Sequence, residues 1–225
     1  MNLTYQPYFG KTVVFCLPGS HYSGRFLVSF TELIIHCKAI GINPIISQDY
    51  SSMVNYARCK VAGADVTRGK HQAPFGGKVD YDYMMWIDSD IAFKHTDFFS
   101  LLSMDKDIAS GWYTQPGGST PVVEKMNDDY FQKHGSYQFI RSQEMTQRKD
   151  IFKADYIGFG WVLIKQGVFE SIDYPWFAPK MIQIGKDLYE MCSEDVSFCL
   201  DAKKAGYNIW VDPKIKVGHE KTQVL

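Results

Sequence analysis

The sequence predicts a single α/β domain in which helices flank a mixed, mainly parallel central sheet. Three observations point there. Short apolar runs closed by Pro or Gly alternate with segments whose apolar residues recur every three or four positions. One such run, Tyr83 to Ile87, ends in the acids Asp88 and Asp90. The second half of the chain then loses this regularity, as a sheet does when antiparallel strands enter it. With 225 residues, 45% of them hydrophobic and 22% charged, the chain can bury one sizeable core.

Each element has its own signal. Residues 12–17 (TVVFCL) are β-branched and apolar, stop at Pro18 and Gly19, and read as a buried strand. From Ser23, the residues Phe26, Leu27, Phe30, Leu33, Ile34, Cys37 and Ile40 follow helical spacing, and Gly41 supplies the stop. Residues 43–47 (NPIIS) predict a second strand, and SSMVNYARCKVAG, from Ser51, predicts a helix capped by serine and ended by Gly63. A third strand covers residues 83–87. Thr96 is placed to cap a short helix (TDFFSLL), and residues 107–112 (DIASGW) read as another strand. The polar stretch 127–150 has no clear period and reads as a helical or mobile insertion over the site. A strand interrupted by Gly158 and Gly160, a second strand and a brief helix follow, then a helix opened by Ser193 and closed by Gly206, the strand NIWV, and a tail containing His219.

Bulk charge narrows the partners. The formal net charge is -1 and no block of Lys and Arg builds up, so neither a nucleic-acid backbone nor an anionic membrane surface is expected. The first residues carry no basic leader, and their apolar run is too short for a signal peptide or a membrane span. Cys16, Cys37, Cys59, Cys192 and Cys199 are scattered through apolar segments without metal-ligand spacing, which predicts reduced thiols and a cytoplasmic protein.

The polar residues singled out each have a plain reading and a chemical one. An Asp-x-Asp at a strand end can simply cap a turn. In an open α/β sheet, however, ligands bind beyond the carboxyl ends of the strands, and two carboxylates there can hold a hard divalent ion whose other positions go to phosphate oxygens. Glu194 and Asp195 favour a helix N-terminus as any acids would, yet that position also suits a charged general base. His219 is either a packed surface histidine or a nitrogen ligand for the ion. Arg58 can be a solvated helix residue or a diphosphate contact. Gly158 and Gly160 can be turn residues or a close approach to a sugar. Trp112 and Tyr113 can be core or a stacking platform.

Taken together and in this order, MWIDSDIAF, ASGWY, ADYIGFGWVLIKQGVFE, SEDVSFCLDAKKAGYNIWVD and VGH resemble the metal-dependent glycosyltransferases of the GT-A fold, over roughly residues 50–220. The closest similarity is to small, single-domain, inverting members found in bacteria and large viruses. The resemblance implies a GT-A (Rossmann-like) domain over residues 1–225, with a nucleotide-binding half at 1–110 and an acceptor-binding and catalytic half at 111–225. It implies that Asp88, Ser89 and Asp90 meet the nucleotide, that Asp88 touches ribose or metal, and that Asp90 with His219 ligates Mn²⁺ or Mg²⁺. Pro18 and Arg58 would border the nucleotide, and Gly158 and Gly160 the donor sugar. Of the acidic pair Glu194–Asp195, Asp195 would be the base. The implied partners are a nucleotide-sugar donor, a UDP-sugar first among them, and a glycan or glycoprotein acceptor, in bacterial or virus-infected host cytosol. One departure is visible: many relatives carry Arg-Asn where this chain has Arg58-Cys59. Two rival readings stay open, a sugar-phosphate nucleotidyltransferase and a non-catalytic carbohydrate-binding module. LPGSHYSGRF lacks the dense Gly and basic loop of the first, and the acids and histidine argue against the second.

Overall fold

A computed structural model of the chain describes residues 8–221. The reading of the first residues as free of a leader therefore falls largely outside the described part. Strand β1 (Thr12–Pro18) is buried from Val13 onward, and β3 (Tyr83–Ile87) is buried throughout. Strands covered on both faces need no polar alternation, which is why both appear in the sequence as continuous apolar runs. Between them the chain makes α1 (Gly24–Ala39), the edge strand β2 (Asn43–Asp49) and α2 (Val54–Val61). After β3 come the two-residue β4 (Ile91–Ala92), α3 (His95–Ser103) and β5 (Ile108–Trp112).

The second half contributes β6 (Val122–Val123), α4 (Asp128–His134), α5 (Ser142–Gln147), β7 (Phe152–Ala154), β8 (Tyr156–Ile157) and β9 (Trp161–Lys165). A hairpin, β10 (Lys180–Gly185) and β11 (Leu188–Cys192), then leads into α6 (Glu194–Lys204), β12 (Ile209–Lys216) and β13 (Gly218–His219). The main sheet has the order β2-β1-β3-β9-β5-β12-β7. β2, β1, β3, β5 and β12 run the same way, while β9, between β3 and β5, and the edge strand β7 run opposite. The expectation of a mixed, mainly parallel sheet is borne out.

Strand periodicity divides the core in two. Val14, Cys16, Met84 and Trp86 face one side, with Phe159, Phe169, Phe177 and Phe198 from the second half. Val13, Phe15, Leu17, Met85 and Ile87 face the other, with Phe26 and Leu33 of α1 and Phe98 of α3. Chain order also fixes the crevice: β2 lies on one side of β1 and β3 on the other, so the winding reverses beyond the carboxyl ends of β1 and β3.

Ser23, where the helical spacing begins, caps α1 by accepting from the Phe26 N–H at 3.0 Å. Two other caps differ. α2 starts at Val54, and Ser51 instead accepts from the Met53 N–H in the preceding turn. α3 starts at His95, where Asp97 accepts from the Lys94 N–H at 2.8 Å, so Thr96 already lies inside the helix. The 127–150 stretch forms α4 and α5; Asn127 caps α4, and Gly135 ends it at φ 72°. α4 rests on the hairpin, where Gln132 donates to the Ile184 carbonyl at 2.6 Å. No described helix is long and apolar enough to cross a membrane.

Candidate active site

Beyond the end of β3 the chain turns sharply, with the Ile91 N–H donating to the Asp88 carbonyl at 3.1 Å. Asp88 is fixed from behind by its own N–H on the Gly160 carbonyl, also 3.1 Å. Pro18 closes the neighbouring strand β1, and the next residue has to be glycine: a Cβ on Gly19 would stand 2.8 Å from the Ser89 Cβ. Pro18, Gly19, Ser89 and the two aspartates thus share the point where the sheet winding reverses.

β4 pairs antiparallel with β13, placing His219 opposite Ile91, and the Glu220 N–H donates to the Asp90 carbonyl at 2.7 Å. This short ladder carries His219, 129 residues away in sequence, to Asp90, with Nε2 at 3.1 Å from Oδ2. The other ring nitrogen, Nδ1, lies 3.2 Å from the Thr114 carbonyl, and Tyr113 packs on the ring with centroids 4.7 Å apart. A carbonyl on Nδ1 leaves Nε2 as the atom presented to the carboxylate, which is how ligating histidines are oriented. Lys221 reaches the same Asp90 oxygen at 2.6 Å.

Asp88 faces a different partner. Arg58 Nη1 and Nη2 stand 3.0 and 3.1 Å from its two oxygens, and Arg58 Nε donates to Glu194 Oε1 at 3.2 Å. Arg58 is only 3% exposed, with its guanidinium 5.4 Å from the Phe159 ring centre. Burial works against the charge, but Asp88 and then Glu194 outweigh it and hold the guanidinium pKa above its ordinary value. Burial and the adjacent Asp195 in turn raise the Glu194 pKa from its ordinary value, opposed by Arg58. Cys59 is buried beside the backbone of Trp176 and Phe177.

Asp195 lies one residue beyond Glu194 in the first turn of α6 and is partly open to solvent. Tyr156 donates to its Oδ2 at 2.9 Å, and Ser193 donates to its Oδ1. Burial, then the neighbouring Asp195 charge, push the Tyr156 phenol well above its normal range, so it remains a neutral donor. Ser193 spends its hydroxyl on Asp195 and makes no side-chain cap to the helix backbone.

The structure thus joins the expected residues into two groups: Asp90 with His219, and Asp88–Arg58–Glu194 beside Asp195. Gly158 and Gly160 lie behind this line. A Cβ on Gly158 would fall 2.7 Å from the Tyr113 hydroxyl, and one on Gly160 would fall 2.8 Å from the Tyr113 ring, so their missing side chains make room for that tyrosine. Trp112 is core, its Nε1 donating to the Pro213 carbonyl at 2.8 Å. Tyr156 and Lys221 do not stand out in the sequence, and Ser193 stands out only as the start of a helix. A tyrosine in an apolar strand reads as core, and only the β4–β13 ladder reveals where residue 221 ends up.

As a metal site the arrangement fits in part. Asp90 and His219 offer an oxygen and an oriented nitrogen on one point, and phosphate oxygens or water can complete such a shell. Asp88, the third expected ligand, has both oxygens facing Arg58, and no three His, Cys, Asp or Glu side chains among the described residues form a ready cluster.

No family model matches the chain, and no curated protein matches its sequence. Among solved structures, it is similar to the crystal structure of A197 from STIV, with a TM-score of 0.51, 16% identity and 96% of each chain covered. It is also similar to GalNAc-T7 with UDP, GalNAc and Mn²⁺, at a TM-score of 0.48 and 11% identity. That match covers 94% of this chain and 44% of the other. The strand order and the likeness to A197 define a mixed α/β fold, which matches the GT-A-like architecture expected from the sequence.

Proposed function

We propose that the chain is a glycosyltransferase that moves a sugar from a nucleoside-diphosphate sugar, with a UDP-sugar as first candidate, to an acceptor hydroxyl with inversion. The observation that carries this reading is the presence of two different acidic centres at one crevice, beside a buried arginine held by Asp88 and Glu194. Asp90 with His219 forms a cation-binding pair, and Asp195 forms a supported base. A binding module would need neither, and donor activation and acceptor deprotonation need both.

Pro18, Gly19 and Ser89 border the diphosphate at the winding reversal, and Asp88 faces the ribose while Arg58 keeps it from turning away. Asp90 and His219 would hold Mn²⁺ or Mg²⁺, which when bound neutralises charge building on the departing diphosphate. Gly158 and Gly160 set the wall against which the donor sugar lies, with Tyr113 filling the space behind. Asp195 accepts the proton of the acceptor hydroxyl on the face of the sugar away from the nucleotide; Tyr156 and Ser193 keep that carboxylate from rotating. Glu194 stays outside the chemistry and holds α6 to Arg58. Residues 1–110 take the nucleotide and 111–225 a glycan or glycoprotein acceptor. The five buried, unpaired cysteines support a reducing, cytoplasmic setting.

A thermal-shift panel of UDP-, GDP- and dTDP-sugars, each with and without Mn²⁺, tests this directly, because a ligand that prefers the folded state raises the melting temperature. Stabilisation by one nucleotide class and only with metal is the expected result. No response to any sugar nucleotide overturns the reading, and pyrophosphate release from a nucleoside triphosphate and a sugar phosphate would replace it with nucleotidyl transfer.

A further inference from the structure

Lys221 stands where an incoming cation would have to go. Its ammonium donates to Asp90 Oδ2 at 2.6 Å, and His219 Nε2 faces that same oxygen at 3.1 Å. The backbone that delivers it is fixed: Gly218–His219 pairs with Ile91–Ala92, and the Glu220 N–H is bonded to the Asp90 carbonyl. The side chain is not fixed in the same way, being about half exposed on a flexible four-carbon stem. An ion pair exposed to that degree adds little to folding stability, so packing gives no strong reason for it.

We propose that Lys221 is the resident counter-ion of the Asp90–His219 pair and that a divalent cation binds by displacing it. This rests on the reading of Asp90 and His219 as the cation ligands. An ion held by Asp90 lies roughly 2–2.6 Å from the carboxylate oxygen. The ammonium already occupies that oxygen at a similar distance, and two positive centres so close repel strongly in a partly buried site. One must leave. The lysine can swing into water without disturbing the ladder that positions His219. A monovalent ion gains no more from the carboxylate than the ammonium does and leaves Lys221 in place. A divalent ion brings twice the charge and also takes the imidazole nitrogen, so it prevails. Lys221 thereby sets which cations the site accepts and how tightly.

The test is Mn²⁺ binding to the full chain without nucleotide, read from the electron paramagnetic resonance signal of the free ion. Lys221→Gln should bind Mn²⁺ about tenfold more tightly than the unmodified chain, since a competing charge at contact distance is gone. Lys133→Gln, which removes an equal charge from exposed α4, should leave the affinity unchanged, and Asp90→Asn should abolish binding. Melting curves of each variant confirm that it is folded. Equal or weaker binding by Lys221→Gln, while Asp90→Asn still abolishes it, overturns the counter-ion role and leaves Asp90 and His219 as ligands. Absence of Mn²⁺ binding in both the unmodified chain and Lys221→Gln overturns both. Tighter binding by Lys221→Gln in a protein that no sugar nucleotide stabilises keeps the role of Lys221 and removes the transferase reading.

Discussion

Arg58 keeps a full charge at 3% exposure because two carboxylates face it, Asp88 through two nitrogens and Glu194 through one. Taking the arginine away strands Glu194 in a low-dielectric site, and breaking a buried pair in this way costs about 3–5 kcal/mol. Arg58→Met should therefore lower the unfolding free energy measured by denaturant titration by that order. Adding Glu194→Gln should recover part of the loss, giving a coupling energy in a double-mutant cycle well above that of residues that do not touch. Independent effects of the two changes would show that the bridge does not hold α6 to the donor side. Asp195 presents the opposite case, a carboxylate fixed by Tyr156 and Ser193 but open to solvent. Asp195→Asn keeps its shape, so it should retain sugar-nucleotide binding while kcat falls by about 10²- to 10⁴-fold, the usual contribution of a general base. Unchanged turnover would remove Asp195 from the chemistry.

Between β8 and β9, the segment Gly158-Phe159-Gly160 lets Tyr113 lie against the backbone, and an added methyl at Gly160 has only the tyrosine ring to displace. Gly160→Ala should destabilise the fold by about 1–3 kcal/mol, the usual cost of overpacking a filled site. Because Asp88 hangs its N–H on the Gly160 carbonyl, the same change should weaken donor binding as well. A variant as stable as its parent would mean that Tyr113 moves freely. Elements differ in how far the sequence reveals them. β1 and β3 are legible because both faces are buried, and α1 because Ser23 and Gly41 mark its ends. The hairpin β10–β11 is not: Met181, Met191 and Tyr189 lie exposed on one face, so no apolar-inward alternation marks it as a strand pair. Ser51 and Thr96 sit within two or three residues of the true helix starts, and capping signals do not resolve such small offsets. At the site, the acids, His219 and Arg58 stand out by residue type. The roles of Tyr156 and Lys221 depend on pairings across 39 and 131 residues, which no local pattern encodes.

Across the whole molecule, both faces of the main sheet are covered by core, and burial shields the thiols. All five cysteines are unpaired and buried, and burial raises the pKa of each above the ordinary thiol value, that of Cys37 to about 12. The folded protein at pH 8 should leave all five unlabelled by an aromatic disulfide reagent over minutes and release them together in denaturant, since only the thiolate reacts. Fast labelling of any one would show that its part of the core opens. The main sheet and the separate β4–β13 ladder gather residues from both ends of the chain, Pro18 to His219, at one crevice where the proposed cation would be held. A crystal soaked with Mn²⁺ and a UDP-sugar, read by manganese anomalous scattering, tests this most directly. The predicted result is a single strong peak touching Asp90, His219 Nε2 and the diphosphate, with Lys221 swung away. A nucleotide bound while Asp90 still pairs with His219 and Lys221, and no peak between them, would contradict it.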